Sequence, residues 1–293
     1  MSLRFCLFGH PVGHSLSPVI HGAAYRALGL DHRYELVDVP DEAALAAEVR
    51  AIREGVVAGA NVTIPWKREA LRLADEAEAS AERVGAANVL SRTTGGRVRA
   101  SNTDVGALVA ELRALAPGAA RVLVIGSGGA ALAAVAAAHA FGAQSVAVTA
   151  RGFSASAPRE TWPRAAEFTA LSAEVLPWPG GGDESVATFA SAVGVVVQAT
   201  SAGMQGKDPG SAVADVVPWS TLPDHAVAYD LVYTPPETEF MRRARARGLR
   251  AENGLGMLVE QAALALETWL AVRAPRAEMR AAAEEELRRR AAE

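Results

Sequence analysis

At 293 residues the chain is longer than one hydrophobic core usually supports, so two domains are expected, with an α/β barrel as the single-domain alternative. A balance of 29 basic against 33 acidic residues gives a net charge of −4, and the only basic tract is Arg288 to Arg290, which argues against a nucleic-acid partner. No apolar run approaches a membrane span, and alanine-rich apolar content with only 5% aromatic residues suits closely packed helices better than an all-β domain. The chain opens on Leu3-Arg4-Phe5-Cys6-Leu7-Phe8, a strand-like run ending at Gly9 and too short for a signal-peptide core. Its Cys6 is the single cysteine, cannot form an internal disulfide, and reads as a small buried hydrophobe. A soluble, cytoplasmic protein is expected.

Residues 18–28 show helical spacing, with Ser17 as N-cap and Pro18 at the first helical position. Strand-like runs at 34–39 and 59–64 alternate with helical stretches at 42–54 and 67–77, a rhythm of βαβ units. The helical stretch 105–115, before Pro117, reads as a hinge to a second series. There a strand at 121–125 runs into a glycine loop, an alanine-rich helix to about Phe141 and a strand at 146–149. Residues 152–192 hold Pro158, Pro163, Pro177, Pro179 and Gly180-Gly181-Gly182, and irregular loops with short elements are expected. Strands return at 193–198 and 227–232, followed by a helix at 255–272 and a charged helical tail at 278–293 that reads as a solvated face.

Two segments gather amides, a hydroxyl and one charge beside apolar sequence: Asn61-Val62-Thr63-Ile64-Pro65-Trp66-Lys67 and Asn102-Thr103-Asp104. A lysine and an aspartate can share one proton-handling site, the lysine moving the proton and the aspartate holding it and a substrate hydroxyl in place. Gly126-x-Gly128-x-x-Ala131, with Gly129 and Ala130 inside it, follows a strand and opens a helix, the context of a dinucleotide fingerprint rather than a plain tight turn. At the end of the next strand, Val148-Thr149-Ala150-Arg151 offers no acid for a ribose diol. The planar fork of Arg151 can pair with a 2′-phosphate instead, so NADP is expected.

Ser15 and Ser17 place two hydroxyls at a helix start, where exposed amides favour an anion. Capping accounts for Ser17 but not for Ser15, and a small carboxylate is a fitting ligand. The segment 252–262 joins a glycine turn at Gly254 to a helix with Met257 and Gln261 on one face, Met257 also reading as core filler.

These motifs, in this order, resemble the shikimate dehydrogenase family over nearly the whole chain to about Val272. The resemblance rests on S-x-S at Ser15 and Ser17, N-V-T-x-P-x-K at Asn61 to Lys67, A-x-N at Asn88 and N-T-D at Asn102 to Asp104. It also covers the loop Gly126 to Ala131, A-T-S-x-G-M at Ala199 to Met204, and G-L-G-M-L-x-x-Q ending at Gln261. It implies an α/β fold of two domains: a substrate domain of residues 1–104 completed by the C-terminal helices at 254–293, and a Rossmann-like NADP-binding domain with a parallel sheet at 105–253. The implied reaction is the NADPH-dependent, reversible reduction of 3-dehydroshikimate to shikimate, a step of chorismate and aromatic amino-acid biosynthesis. Lys67 would then act as acid and base with Asp104. Ser15 and Ser17 would bind the ring carboxylate, Thr63, Asn88, Asp104 and Gln261 the ring hydroxyls, with Asn61 and Tyr233 in the same substrate-binding set. Gly126, Gly128, Gly129, Ala130, Ala131, Arg151, Thr200, Met204, Gly254 and Met257 would bind the cofactor. No metal is implied, and the expected assembly is a monomer or homodimer.

Three departures stand out. The family's N-R-T is Ala150-Arg151-Gly152 here, so NADP preference is blunted; its N-A-T-S begins with Gln198; and its D-G before the last glycine turn is Asn253-Gly254. The rival readings are a quinate/shikimate dehydrogenase using NAD and a non-catalytic dinucleotide-binding sensor.

Overall fold

A computed structural model describes residues 2–180 and 182–292; Met1, Gly181, within the expected loop region, and Glu293, the last residue of the expected tail, lie outside the described residues. The chain divides into two compact units, Met1–Ala107 with Leu258–Glu293, and Leu108–Met257.

The first unit begins with β1 (Arg4–Gly9), α1 (Ser17–Ala27), β2 (Arg33–Asp38), α2 (Glu42–Arg53) and β3 (Gly59–Val62). Strand β1 lies between β2 and β3, parallel to both, and its near-continuous apolar run is buried as a strand covered on both faces requires. Burial pushes the Cys6 thiol up to about 12, which leaves it inert. Helix α2 is capped by Asp41, whose carboxylate accepts from Ala44 N at 2.8 Å, and buries Leu45, Val49 and Ile52 along one face.

The helix expected over 67–77 stops early. It forms α3 (Lys67–Leu73), after which Ala74 turns extended and β4 (Glu76–Ala77) pairs with a strand not expected from the sequence. That strand is β6 (Val98–Ser101), reached through α4 (Ala79–Val84) and β5 (Val89–Arg92). Because β5 runs antiparallel to both β3 and β6, the sheet is mixed, in the order β2-β1-β3-β5-β6-β4. The chain leaves this unit within α5 (Asp104–Leu115).

In the second unit the order is β7 (Arg121–Ile125), α6 (Gly129–Phe141), β8 (Ser145–Thr149), α7 (Ala165–Ala170), β9 (Glu174–Leu176), α8 (Ser185–Ala190), β10 (Val195–Gln198), α9 (Ser211–Asp215), β11 (Val227–Asp230), α10 (Glu239–Ala246) and β12 (Arg250–Asn253). All six strands are parallel, in the order β12-β11-β10-β7-β8-β9. Strand order reverses between β7 and β10, and in such sheets ligands bind beyond the carboxyl ends of the strands at this switch point. The expected loops at 152–192 hold α7, β9 and α8, which bury Phe168, Val175, Leu176, Val186 and Phe189. Each is too short to show periodicity between the proline and glycine signals.

The chain returns to the first unit within α11 (Leu255–Leu270) and ends in α12 (Arg276–Ala291). Trp269 of α11 donates from Nε1 to Leu90 O at 3.1 Å and stacks on Phe5, and a Cβ on Gly59 would lie 2.5 Å from its ring. The tail carries a packed face besides the expected solvated one: α12 packs on α1, burying Met279 and Ala283, and Arg290 donates to His14 O at 2.7 Å. Among the described residues no helix is long and apolar enough to cross a membrane.

Candidate active site and dinucleotide crevice

Strand β3 ends at Val62, and the turn Thr63-Ile64-Pro65-Trp66 delivers Lys67 as the first residue of α3. Trp66 pins that turn by donating from Nε1 to Val39 O at 2.7 Å. On the other side, Asn102 caps α5: its Oδ1 accepts from Asp104 N at 3.0 Å while its amide donates to Ala86 O at 2.9 Å. Lys67 Nζ then meets Asp104 Oδ2 at 2.7 Å, with side chains 32% and 13% exposed. The pair is sheltered yet reachable.

Asn88 fixes the other carboxylate oxygen, donating to Asp104 Oδ1 at 2.8 Å, and its own Oδ1 accepts from Thr103 N at 2.8 Å. The Asn88 amide also lies 3.4 Å from Gln261 Oε1, and Thr103 Oγ1 donates to Gln261 O at 3.1 Å. Lys67, Asn88, Asp104 and Gln261 thus form one cluster drawn from distant stretches of sequence. A protonated lysine carries three donors, so one directed at Asp104 leaves others for a ligand oxygen.

Asn61 is turned toward its neighbours. Its Oδ1 accepts from the Tyr34 hydroxyl at 2.7 Å and its amide donates to Asn88 O at 3.2 Å, so it supports the cluster from behind. Thr63 is half-buried on the turn, and a Cβ on Gly9 would sit 2.3 Å from its Cγ2, which makes glycine necessary there.

The capping assignment at α1 is corrected: the helix begins at Ser17, and Ser15 Oγ accepts from Ser17 N at 3.1 Å. The N-cap is Leu16, with no side-chain cap hydrogen bond, so capping accounts for neither serine; Ser15 also donates to Ser17 Oγ at 3.1 Å. Two residues beneath this segment, His21 and Tyr34, carry no motif that singles them out in the sequence. His21 is fully buried and stacks on Tyr34, ring centroids 4.2 Å apart and planes 4° apart. Neither ring nitrogen has a hydrogen-bond partner, and burial pushes its pKa down to about 3, outweighing the opposite influence of nearby Asn61. The four-residue spacing Ser17–His21–Tyr25 is the available signal, since it puts polar groups on one helix face.

The second unit carries the glycine loop at its switch point. Gly126 has φ +138°, and a Cβ there would lie 2.8 Å from Ala199 O, so only glycine lets β7 end against the turn after β10. Gly128 caps α6 and Gly129 is its first residue; both are exposed, and a Cβ on either would meet nothing within 4 Å. The protein itself does not require glycine there. The loop leaves its backbone open to close approach at Gly128 and Gly129 beside exposed Ala130, the geometry a dinucleotide pyrophosphate needs, while buried Ala131 packs inward.

The Ala199–Met204 turn is held from below by Gln198. Its Oε1 accepts from Thr200 N at 2.5 Å, and its amide donates to Ala202 O at 2.8 Å and Asp230 Oδ1 at 3.1 Å. Asp230 also accepts from Val232 N at 2.9 Å and from Thr238 Oγ1 at 2.5 Å, yet burial pushes it up to about 7. Met204 is 38% exposed at the end of this turn.

At the last glycine turn, a Cβ on Gly254 would lie 2.2 Å from Leu231 O. Asn253 caps α11 through Oδ1, which accepts from Leu255 N at 3.1 Å, and its amide donates to Pro236 O at 3.0 Å. An aspartate could supply the first bond but not the second. Met257 is half-buried near the start of α11, and Tyr233 is half-buried in the loop after β11. Arg151, exposed after β8, directs Nη1 at Asp208 Oδ2, 2.9 Å away.

Residues 7–90 match the family model for the shikimate dehydrogenase substrate binding domain, and residues 254–284 that for the shikimate 5′-dehydrogenase C-terminal domain. A shikimate dehydrogenase (NADP(+)) of Caulobacter vibrioides is 39% identical over 89% of this chain and 87% of its own length. The solved structure of a Thermus thermophilus shikimate 5-dehydrogenase, in complex with NADP(H) and shikimate, superposes with a TM-score of 0.81 at 33% identity, covering 97% of this chain and 99% of the other. A ligand-free 5-ketofructose reductase of a Gluconobacter strain also reaches 0.81, at 27% identity over 98% and 99% of the two chains. Identity and coverage of this extent place the chain in the shikimate dehydrogenase family.

Proposed function

We propose that this chain catalyses the reversible, NADP-dependent interconversion of 3-dehydroshikimate and shikimate in aromatic amino-acid biosynthesis. The Lys67–Asp104 pair at 2.7 Å, with Asn88 on the second carboxylate oxygen, carries the reading. In the reducing direction the Lys67 ammonium donates a proton to the ring oxygen at carbon 3 as it becomes an alkoxide. Asp104 aims the ammonium and accepts from a neighbouring ring hydroxyl. Asn88, Gln261 and Thr63 hold ring hydroxyls, Asn61 supports Asn88, Tyr233 belongs to the substrate-binding set, and Ser15 and Ser17 receive the carboxylate at the start of α1.

The unit made of Met1–Ala107 and Leu258–Glu293 is thereby the substrate-binding one, and Leu108–Met257 the dinucleotide-binding one. Gly126, Gly128, Gly129 and Ala130 would hold the pyrophosphate with Ala131 packed behind them, Arg151 the 2′-phosphate, and Thr200, Met204, Gly254 and Met257 other parts of the cofactor. When bound, NADPH supplies the hydride. The enzyme is read as cytoplasmic, working as a monomer or homodimer.

NADPH absorbance after addition of 3-dehydroshikimate tests the reading: steady loss is expected, with recovery when shikimate and NADP are supplied at alkaline pH. NADPH bound without being consumed would mean a dinucleotide sensor, and consumption with 5-ketofructose but not 3-dehydroshikimate would assign a different substrate.

A further inference from the structure

Dinucleotide-binding folds usually carry an acid at the end of the second strand, where it holds the ribose diol and disfavours a 2′-phosphate. Here the strand β8 ends in Thr149-Ala150-Arg151 without one. The fold brings an acid to that place from 57 residues further along: Asp208 Oδ2 lies 2.9 Å from Arg151 Nη1. Asp208 is not a loosely hanging surface group. Its Oδ1 accepts from Gly210 N at 2.8 Å and its backbone carbonyl accepts from Gly203 N at 2.7 Å, so the loop beyond the Ala199–Met204 turn presents the carboxylate in a fixed direction. The Gly210 N–H in particular, with Arg151, holds the carboxyl below the usual carboxylate range, so it is charged at neutral pH.

We propose that Asp208 is a specificity-determining residue for the dinucleotide: by occupying Arg151 it lowers the preference for the 2′-phosphorylated cofactor over the unphosphorylated one. The inference rests on the reading that Arg151 lies at the 2′-phosphate position. A phosphate seeking the Arg151 fork meets a cation already paired and a carboxylate that repels it. A ribose diol carries no charge to be repelled, so NAD is unaffected by the same contact. Asp208 thus acts on cofactor choice through Arg151.

Isothermal titration calorimetry with NADPH and NADH, on the wild type, Asp208→Asn, Arg151→Ala and the double variant, tests this. Asparagine keeps the oxygen that accepts from Gly210 and removes only the charge. Asp208→Asn should bind NADPH about three- to tenfold tighter, the range expected for release of one exposed ion pair plus a repulsion, with NADH changed by less than about twofold. In the Arg151→Ala background the gain should shrink to the part owed to direct repulsion between carboxylate and phosphate; a gain as large as in the wild type overturns a route through Arg151. Unchanged NADPH affinity in Asp208→Asn, or equal gains for both dinucleotides, overturns the inference while leaving the proposed function standing. Arg151→Ala with undiminished NADPH affinity overturns the inference and the phosphate-reading role of Arg151 together, and a wild type that binds neither dinucleotide overturns the proposed function itself.

Discussion

Lys67 and Asp104 meet because each opens a helix, one fixed by the turn after β3 and the other by the Asn102 cap. Replacing Lys67 with alanine removes the proton donor without touching either element, so turnover should fall by roughly 10² to 10⁴, with circular dichroism and NADPH binding unchanged. Turnover equal to the wild type would take Lys67 out of the reaction. Asp230 gives a second prediction at this scale. Its folded pKa of about 7 stands above the ordinary 3.8, so between these values the folded chain holds a proton that the unfolded chain has released. Stability contributed by the protonated carboxyl is therefore present at low pH and lost as pH rises toward and through 7. The thermal midpoint of the wild type should drop more from pH 5 to pH 8 than that of Asp230→Asn; parallel profiles would contradict the assignment. Lys67, Asn88, Asp104 and Gln261 are legible in the sequence because short motifs announce them. His21, Tyr34 and Asp230 are not, since a lone polar residue in a strand or helix carries no sign of which distant group it will face, as Tyr34 and Asn61 show. Ser17 looks like the N-cap in the sequence because the sequence alone does not reveal where α1 starts.

Among the elements, the long periodic ones are readable: β7 and α6 fall where the apolar run and the alanine-rich stretch put them. The short ones are not. Two-residue β4 has no periodicity, and the hairpin β5–β6 lies beside the N-T-D motif, where polar residues obscure a strand. The tail looks solvated because Met279 and Ala283 of α12 are its buried residues, too sparse a stripe to stand out among so many charges. Gly126 provides the test at this scale. Alanine there must adopt φ +138° and push against Ala199 O, so Gly126→Ala should cost about 1–3 kcal/mol in denaturant unfolding and weaken NADPH binding. A variant as stable as the wild type would mean that β7 and the turn after β10 are not locked together.

For the whole molecule, alternating strands and helices disclose an α/β chain, and the family resemblance discloses the return of the C-terminal helices; periodicity alone does not. The antiparallel β5, which makes the first sheet mixed, is invisible to the same rhythm. A shikimate enzyme with these residues should take NADP in preference to NAD, by a margin that Asp208 narrows. The most direct test is kcat/KM of the purified protein with shikimate and with quinate, each against NADP and NAD, at one alkaline pH. The highest value is predicted for shikimate with NADP, with NAD lower but measurable and quinate poor. Quinate or NAD equalling that value, or no turnover in any pairing, would contradict it.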